Sequence, residues 1–316
     1  MEKREIGKSG LKVAPTCFGG NVFGWTADEQ TSFSLLDAFV DAGFDFIDTA
    51  DVYSGWVPGN KGGESETIIG NWLKQTAKRD KVIIATKVGK SMGGDKKGLS
   101  KTYITRAVED SLKRLQTDYI DLYQSHDDDM NTPMEETMET FTTLIREGKV
   151  RAIGASNFSP ARLRQSLQVS LDNGFARYES LQPEYNLYQR KDYEKQYEAL
   201  CHENNLGVIT YYSLASGFLT GKYRSEDDLN QSKRGGDIKK YLDARGYKIL
   251  AALDKVAAEY EASPASVALA WLMARPGITA PIASATSVKQ LNDLAKAAEL
   301  KLDSKTIQML TTASGY

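Results

Sequence analysis

Four side chains with acid–base potential stand at or just beyond the ends of short apolar runs: Asp48, Tyr53, Lys87 and His126. Together they suit carbonyl reduction. Adding a hydride to a carbonyl leaves a developing alkoxide that needs a proton and a hydrogen-bond donor. A free phenol has a pKa of roughly 10. A cation such as Lys87 beside Tyr53 favours the phenolate and moves the group toward neutrality. Asp48 would keep Lys87 charged and aimed, and His126 could donate to the carbonyl oxygen and orient it. Each residue alone also has a plainer reading. Asp48-Thr49 can cap a turn, and Tyr53 is one of sixteen tyrosines. His126 followed by Asp127-Asp128-Asp129 can be a core histidine beside a solvated loop, or a metal site. Ser156-Asn157 can be a turn before Pro160, and Gln182 a polar group filling a core. Lys87 is the most telling, because a lysine after a buried strand must be paired.

These residues need a scaffold that gathers strand ends. Short β-branched runs recur at Thr16–Gly19, Phe46–Asp48, Val82–Thr86, Ile120–Tyr123, Ala152–Ala155, Ser180–Gln182, Gly207–Thr210 and Thr279–Ile282. They are largely apolar on both faces, as buried parallel strands must be. Helical periodicity lies between them: Phe33, Leu36, Val40; Ile68, Ile69, Trp72, Leu73; Val108, Leu112, Leu115; then Met134–Glu147, Ala161–Leu171, Tyr193–Asn204 and Lys289–Ala298. After the seventh strand come a polar stretch, roughly 223–245, and helical patterns around Ile249–Ala258 and Pro264–Ala274. Asp303–Leu310 is a C-terminal extra. Eight strand–helix units fit a closed barrel or a doubly wound sheet. The second needs G-x-G-x-x-G after a strand, and the run Gly19-Gly20-Asn21-Val22-Phe23-Gly24 fails it. The expected architecture is therefore one (β/α)8 TIM barrel over residues 1–316, with Arg4–Val13 as a β-hairpin capping its N-terminal end and extra helices in the loop after strand seven and at the C-terminus. Chemistry then belongs at the C-terminal ends of the strands.

Bulk properties agree. The chain has 316 residues, 41% hydrophobic and 26% charged, with net charge −2. It shows no basic footprint for nucleic acid and no run of the ~18 apolar residues that a membrane helix needs. The opening MEKREIGKSG lacks a signal-peptide stretch. With only Cys17 and Cys201, a disulfide framework is not expected and a cytoplasmic location is. Two histidines make a multi-histidine metal site a poor fit.

Five ordered motifs carry a resemblance over nearly the full length: Phe46-Ile47-Asp48-Thr49-Ala50-Asp51-Val52-Tyr53; Ala85-Thr86-Lys87-Val88; Asp118 to His126; Gly148 to Phe158; and Gln182-Pro183-Glu184-Tyr185-Asn186. In these the chain resembles the aldo-keto reductases. The resemblance implies an NAD(P)H-dependent oxidoreductase acting on small aldehydes, ketones or the corresponding alcohols. It implies Asp48, Tyr53, Lys87 and His126 as the catalytic four, with Tyr53 as proton donor. Ser156, Asn157 and Gln182 would hold the nicotinamide carboxamide, Tyr211 would stack under the ring, and Gly20 would lie beside it.

The run Tyr211-Tyr212-Ser213-Leu214-Ala215-Ser216 resembles the family's tyrosine-serine-proline-leucine segment, with Tyr212 for the serine and Ser213 for the proline. Ser213, Leu214 and Ser216 are the cofactor candidates there, and loss of proline frees a backbone N–H for phosphate. Many relatives place a basic residue near Ser284 or Thr286 to grip the 2′-phosphate of NADP. This chain offers hydroxyls there, with Lys289 and Gln290 next. The expected cofactor is NADP(H), with NAD(H) the alternative. Phe23, Trp25 and Trp56 are expected to wall the substrate pocket, and Trp56 reads equally as a loop anchor. Potassium-channel β subunits share this resemblance, so a cofactor-binding regulatory subunit is the alternative function.

Overall fold

The computed structural model describes all residues 1–316. Eight parallel strands close into a barrel: β3 (Cys17–Gly19), β4 (Phe46–Asp48), β5 (Ile83–Val88), β6 (Ile120–Ser125), β7 (Val150–Ser156), β8 (Tyr178–Gln182), β9 (Gly207–Thr210) and β10 (Ile278–Ala283), with β10 pairing β3. Every expected strand is present. Several run one to three residues further than their apolar cores, because the polar residues at their ends stay in the ladder. Lys87 is one of these: it pairs in register with Gln124 inside the sheet.

The hairpin is also present, as β1 (Arg4–Glu5) antiparallel to β2 (Lys12–Val13). Ile6, Leu11 and Val13 join Cys17, Phe46, Ala85, Leu122, Ala152, Ile209 and Ala280 in one buried cluster. Seven strands thus send an apolar side chain into the lumen, and the hairpin plugs its floor. Side chains alternate along a strand, so two residues further up the inward positions are Asp48 on β4, Lys87 on β5 and Gln124 on β6. The apolar layer becomes a polar layer at the mouth.

Helices wrap the outside: α1 (Glu29–Asp41), α2 (Glu64–Thr76), α3 (Lys101–Leu115), α4 (Met134–Arg146), α5 (Pro160–Asn173), α6 (Glu198–Glu203), α7 (Ala244–Glu259), α8 (Pro264–Met273), α9 (Val288–Glu299) and α10 (Ser304–Ala313). Seven of these ten helices start at a side-chain cap that satisfies a free N–H group. Ser159 caps α5 and Ser263 caps α8, each followed by a proline at the first helical position. Ser287 caps α9. The pattern expected as one helix over Tyr193–Asn204 begins instead with a π-helical turn at Tyr193–Tyr197 before α6. The polar stretch between β9 and α7 folds into short 3-10 turns anchored by buried Tyr223, Ile238 and Tyr241.

Candidate active site

Lys87 is fully buried near the C-terminal end of β5. Its ammonium donates to Asp48 Oδ1 at 2.5 Å, to the Thr49 carbonyl at 2.7 Å and to Tyr53 Oη at 3.1 Å. Three acceptors satisfy three N–H bonds, which is what a buried ammonium requires. The other oxygen of Asp48 accepts from Gln182 Nε2 at 2.9 Å and Gln124 Nε2 at 3.1 Å. Both oxygens of this buried carboxylate are therefore held. Gly154 makes room for the arrangement: a Cβ there would stand 2.2 Å from Ser180 Oγ and 3.2 Å from Gln124 Cγ.

Burial drives the Lys87 ammonium down, but Asp48 and Tyr53 outweigh it and hold the lysine above its ordinary range. For Tyr53 the balance differs from the expectation of a phenol tuned toward neutrality. Burial raises the phenol, the pull from Lys87 is the smaller effect, and Asp48 adds to the rise, so the net direction is upward. Tyr53 keeps its proton at neutral pH, which suits an acid better than a base. His126, 6% exposed, packs edge-on against Tyr53 with ring centroids 5.8 Å apart. Burial, then Lys87 and Lys90, hold its imidazole well below the ordinary value. It is a neutral ring with one N–H to offer. Its Nδ1 is buried with no protein partner.

The remaining expected site residues divide into three groups. Ser156 and Asn157 sit at the end of β7, with Ser156 Oγ donating to the Gln182 carbonyl (2.9 Å) and Asn157 Nδ2 to the His126 carbonyl (2.8 Å). Tyr211 follows β9 and donates to Asn157 Oδ1 at 3.2 Å, and Gly20 follows β3, its carbonyl accepting from Ser65 Oγ at 2.7 Å. These line the mouth beside the catalytic cluster. The Gln182 amide nitrogen donates to Asp48 Oδ2 and Gln124 Oε1, tying this residue to the catalytic carboxylate.

The second group forms the rim after β9 and β10. Tyr212, Ala215, Ser216 and Gly217 all have positive φ, between 48° and 102°. Within this turn the Ala215 and Gly217 N–H groups donate to the Tyr212 and Leu214 carbonyls, at 2.6 and 2.9 Å. Leu214 lies in this turn, but the Ser213 hydroxyl points inward, donating to the Thr210 carbonyl at 3.0 Å. Ser284 Oγ donates to Asn21 Oδ1 (2.8 Å), and Thr286 donates to Gln290 Oε1 through both its N–H (2.8 Å) and its hydroxyl (3.1 Å). Lys289 is exposed on the first turn of α9.

The third group is the pocket wall. Trp25 and Trp56 meet edge to face at 5.8 Å, and Trp56 meets Tyr53 at 5.6 Å. Phe23 does not join them. It is fully buried and stacked on Phe18 at 5.4 Å, so its ring belongs to the core and not to the pocket.

Two residues were not foreseen. Gln124 holds Asp48, and its register opposite Lys87 was the signal. Arg234, from the polar stretch, lies over the Trp25 ring at 5.1 Å. Its Nη2 is buried with no partner. Burial lowers this guanidinium, while Tyr212, Asp237, Tyr223 and Tyr53 support its charge. A cation over the mouth whose buried Nη2 has no hydrogen-bond acceptor fits an anionic ligand.

A closed barrel with a hairpin floor and an Asp–Lys–Tyr–His mouth defines a class, and the comparisons agree. The sequence profile described as the aldo/keto reductase family matches residues 15–314. The chain is 38% identical to the "Uncharacterized oxidoreductase YrpG" of Bacillus subtilis, covering 98% of this chain and 95% of that one. It is 32% identical to the "Probable voltage-gated potassium channel subunit beta" of Oryza sativa subsp. japonica (95% and 92% covered). It is 30% identical to the "Aldo-keto reductase yakc [NADP(+)]" of Schizosaccharomyces pombe (94% and 86% covered). The chain belongs to the aldo/keto reductase family and is an NAD(P)-dependent oxidoreductase. No helix is long and apolar enough to cross a membrane.

Proposed function

We propose that the protein interconverts a small aldehyde or ketone and its alcohol, with NADP(H) as cofactor and Tyr53 as the general acid and base. The observation that carries this reading is the Lys87 ammonium shared among Asp48, Thr49 and Tyr53. The bound nicotinamide supplies or accepts the hydride. Tyr53 Oη passes its proton to the carbonyl oxygen as negative charge grows there. Lys87, 3.1 Å away, stabilises the phenolate left behind. Asp48 keeps Lys87 charged and fixed. Neutral His126 donates one N–H to the same carbonyl oxygen and orients it. Trp25 and Trp56 give the substrate's apolar body a wall.

The cofactor would be held by Gly20, Ser156, Asn157, Gln182 and Tyr211 at its nicotinamide end. The Ser213–Ser216 turn and Arg234 would meet its diphosphate. Ser284, Thr286, Lys289 and Gln290 would meet its far end, as hydroxyls and helix-start N–H groups can bind a phosphate. The unpartnered Nη2 of Arg234 supports an anionic ligand, and the likeness to an aldo-keto reductase of Schizosaccharomyces pombe named for NADP(+) supports NADP. Buried, unpaired Cys17 and Cys201 suit a reducing cytoplasm. The likeness to a channel subunit makes a cofactor-binding regulatory subunit the alternative reading.

Tyr53→Phe tests this. We expect kcat for aldehyde reduction to fall at least about 10²-fold, the lower end for general acid catalysis, while NADPH still binds in a fluorescence titration. Near-normal turnover by the variant would remove Tyr53 from the reaction. Wild type binding NADH as tightly as NADPH would remove the 2′-phosphate site.

A further inference from the structure

Asp51 is a buried ionisable group that the reaction leaves unused. It lies three residues after Asp48 and two before Tyr53, in the turn that carries the proton donor. Its side chain is 1% exposed, and neither carboxyl oxygen has a partner. Its backbone, by contrast, is tied. The Asp51 N–H donates to the Lys87 carbonyl (3.2 Å), the Tyr53 N–H donates to the Ala50 carbonyl (3.2 Å), and the Tyr53 carbonyl accepts from the Gly63 N–H (2.9 Å). The side chain of Asp51 and the phenol of Tyr53 thus hang from one short, hydrogen-bonded stretch of backbone.

The surroundings give Asp51 no ion pair: the cations that share its cavity are Arg114, held by Glu66, and the exposed Lys96 and Arg106. From α2 comes Glu66, fully buried, accepting from Thr86 Oγ1 on β5 at 2.5 Å and from Arg114 Nε on α3 at 2.7 Å. Also from α3 come Tyr103, Arg106 and Asp110, which line a small cavity with Asp51, Arg114, Met92 and Lys96. Arg106 is paired with Asp95 at 3.1 Å, and Lys87 with Asp48. From β6, Tyr123 points a buried hydroxyl that also lacks a partner. Arg114 is the nearest buried guanidinium, and Glu66 has it. Two buried carboxyl groups around one committed cation cannot both ionise cheaply. The cavity, about 30 Å³, admits a water molecule.

We propose that Asp51 is a positioning residue for Tyr53: as a neutral carboxylic acid it stays buried and leaves the backbone-bonded 49–53 turn in place, and its ionisation displaces that turn and takes Tyr53 out of line, an alkaline brake on proton transfer. This rests on the reading of Tyr53 as proton donor. The direction follows from the environment. Burial first and Glu66 second push Asp51 up to about 8, against the pull of Arg114, the Val52 N–H and Lys87. Below that pH the acid is neutral and the turn stays seated. Above it a negative charge forms beside Glu66, whose Arg114 is already committed, with only the solvent-exposed Lys96 and Arg106 at the cavity.

Two measurements test this independently. The first uses wild type alone: carboxyl NMR of protein labelled with ¹³C-aspartate. One aspartate should remain protonated at pH 7 and titrate near pH 8; if every aspartate is ionised at pH 7, the proposal fails. This readout does not depend on turnover, so it stands apart from the test of Tyr53. The second is the pH profile of kcat at saturating NADPH and aldehyde. Wild type should lose roughly tenfold in kcat per pH unit above about 8, with little change in KM. Asp51→Asn, which keeps a neutral side chain of the same shape, should carry its kcat past pH 9 without that limb. The same alkaline limb in Asp51→Asn and wild type would overturn the proposal.

Discussion

Asp48 and Asp51 leave the same strand end three residues apart and are equally buried, at 2% and 1% exposure. Asp48 has a lysine on one oxygen and two amides on the other. Asp51 has nothing on either. Burial of a carboxyl therefore has two solutions within one turn: complete it with donors, or let it keep its proton. The first fixes a charge where a reaction needs one. The second gives a group that responds to pH. What separates them is the strand layer each faces. Asp48 points into the lumen, where alternate residues of β5, β6 and β8 supply Lys87, Gln124 and Gln182. Asp51 points outward toward α2 and α3, where Arg114 is already held by Glu66.

Lys87→Met should break the comparison most severely. It leaves Asp48 as an uncompensated buried charge, a change that typically costs about 3–5 kcal/mol. Removing the cation beside Tyr53 should lower kcat by at least about 10²-fold. Asp48→Asn should do less on both counts, since Lys87 and two acceptors remain. Urea melts and steady-state kinetics on both variants check this, and Asp48→Asn being the worse of the two would reverse the roles assigned to the pair.

Gln182→Leu sharpens the same contrast with a smaller effect. It removes one neutral donor from the buried carboxylate, worth about 1.5–3 kcal/mol for a hydrogen bond to a charged group. If Gln182 also faces the nicotinamide, the KM for NADPH rises together with the loss of stability seen in urea. A change in KM with no change in stability would mean that the contact with Asp48 carries no weight.

The gentlest probe is the stability of wild type and Asp51→Asn against pH. Asp51 has its folded-state pKa raised from 3.8 to about 8. Between those values the folded chain binds this proton more tightly than the unfolded chain. Its contribution is thus full at low pH and is lost as pH rises through that window, with a slope of up to about 1.4 kcal/mol per unit. Melts of Asp51→Asn should lack this slope, so the variant should gain on wild type between pH 5 and 8. Parallel curves for the two proteins would show that Asp51 is ionised in the fold.

Much of this was legible in the residues. Eight short apolar runs gave the strands, since only a sheet buried on both faces reads that way. Asp48, Tyr53, Lys87 and His126 were legible because ionisable groups next to such runs are out of place unless they are used. Phe23 was misread because an aromatic after the first strand suits a pocket and a core equally, and only the stacking on Phe18 decides. Arg234 was hidden in a polar stretch rich in cations, and which of them turns inward is a matter of tertiary packing. Asp51 lay inside a motif already in use, and its lack of a partner depends on Arg114, sixty-three residues away in sequence.

The hairpin has a consequence for traffic. With Ile6, Leu11 and Val13 stopping the lumen from below, the barrel is a cup with one opening. Anything that reaches Lys87 and Tyr53 must arrive past the rim of Trp25, Trp56 and Arg234, and leave the same way. The floor, built by the hairpin and the apolar layer above it, leaves the mouth as the one face from which the Lys87 cluster can be approached.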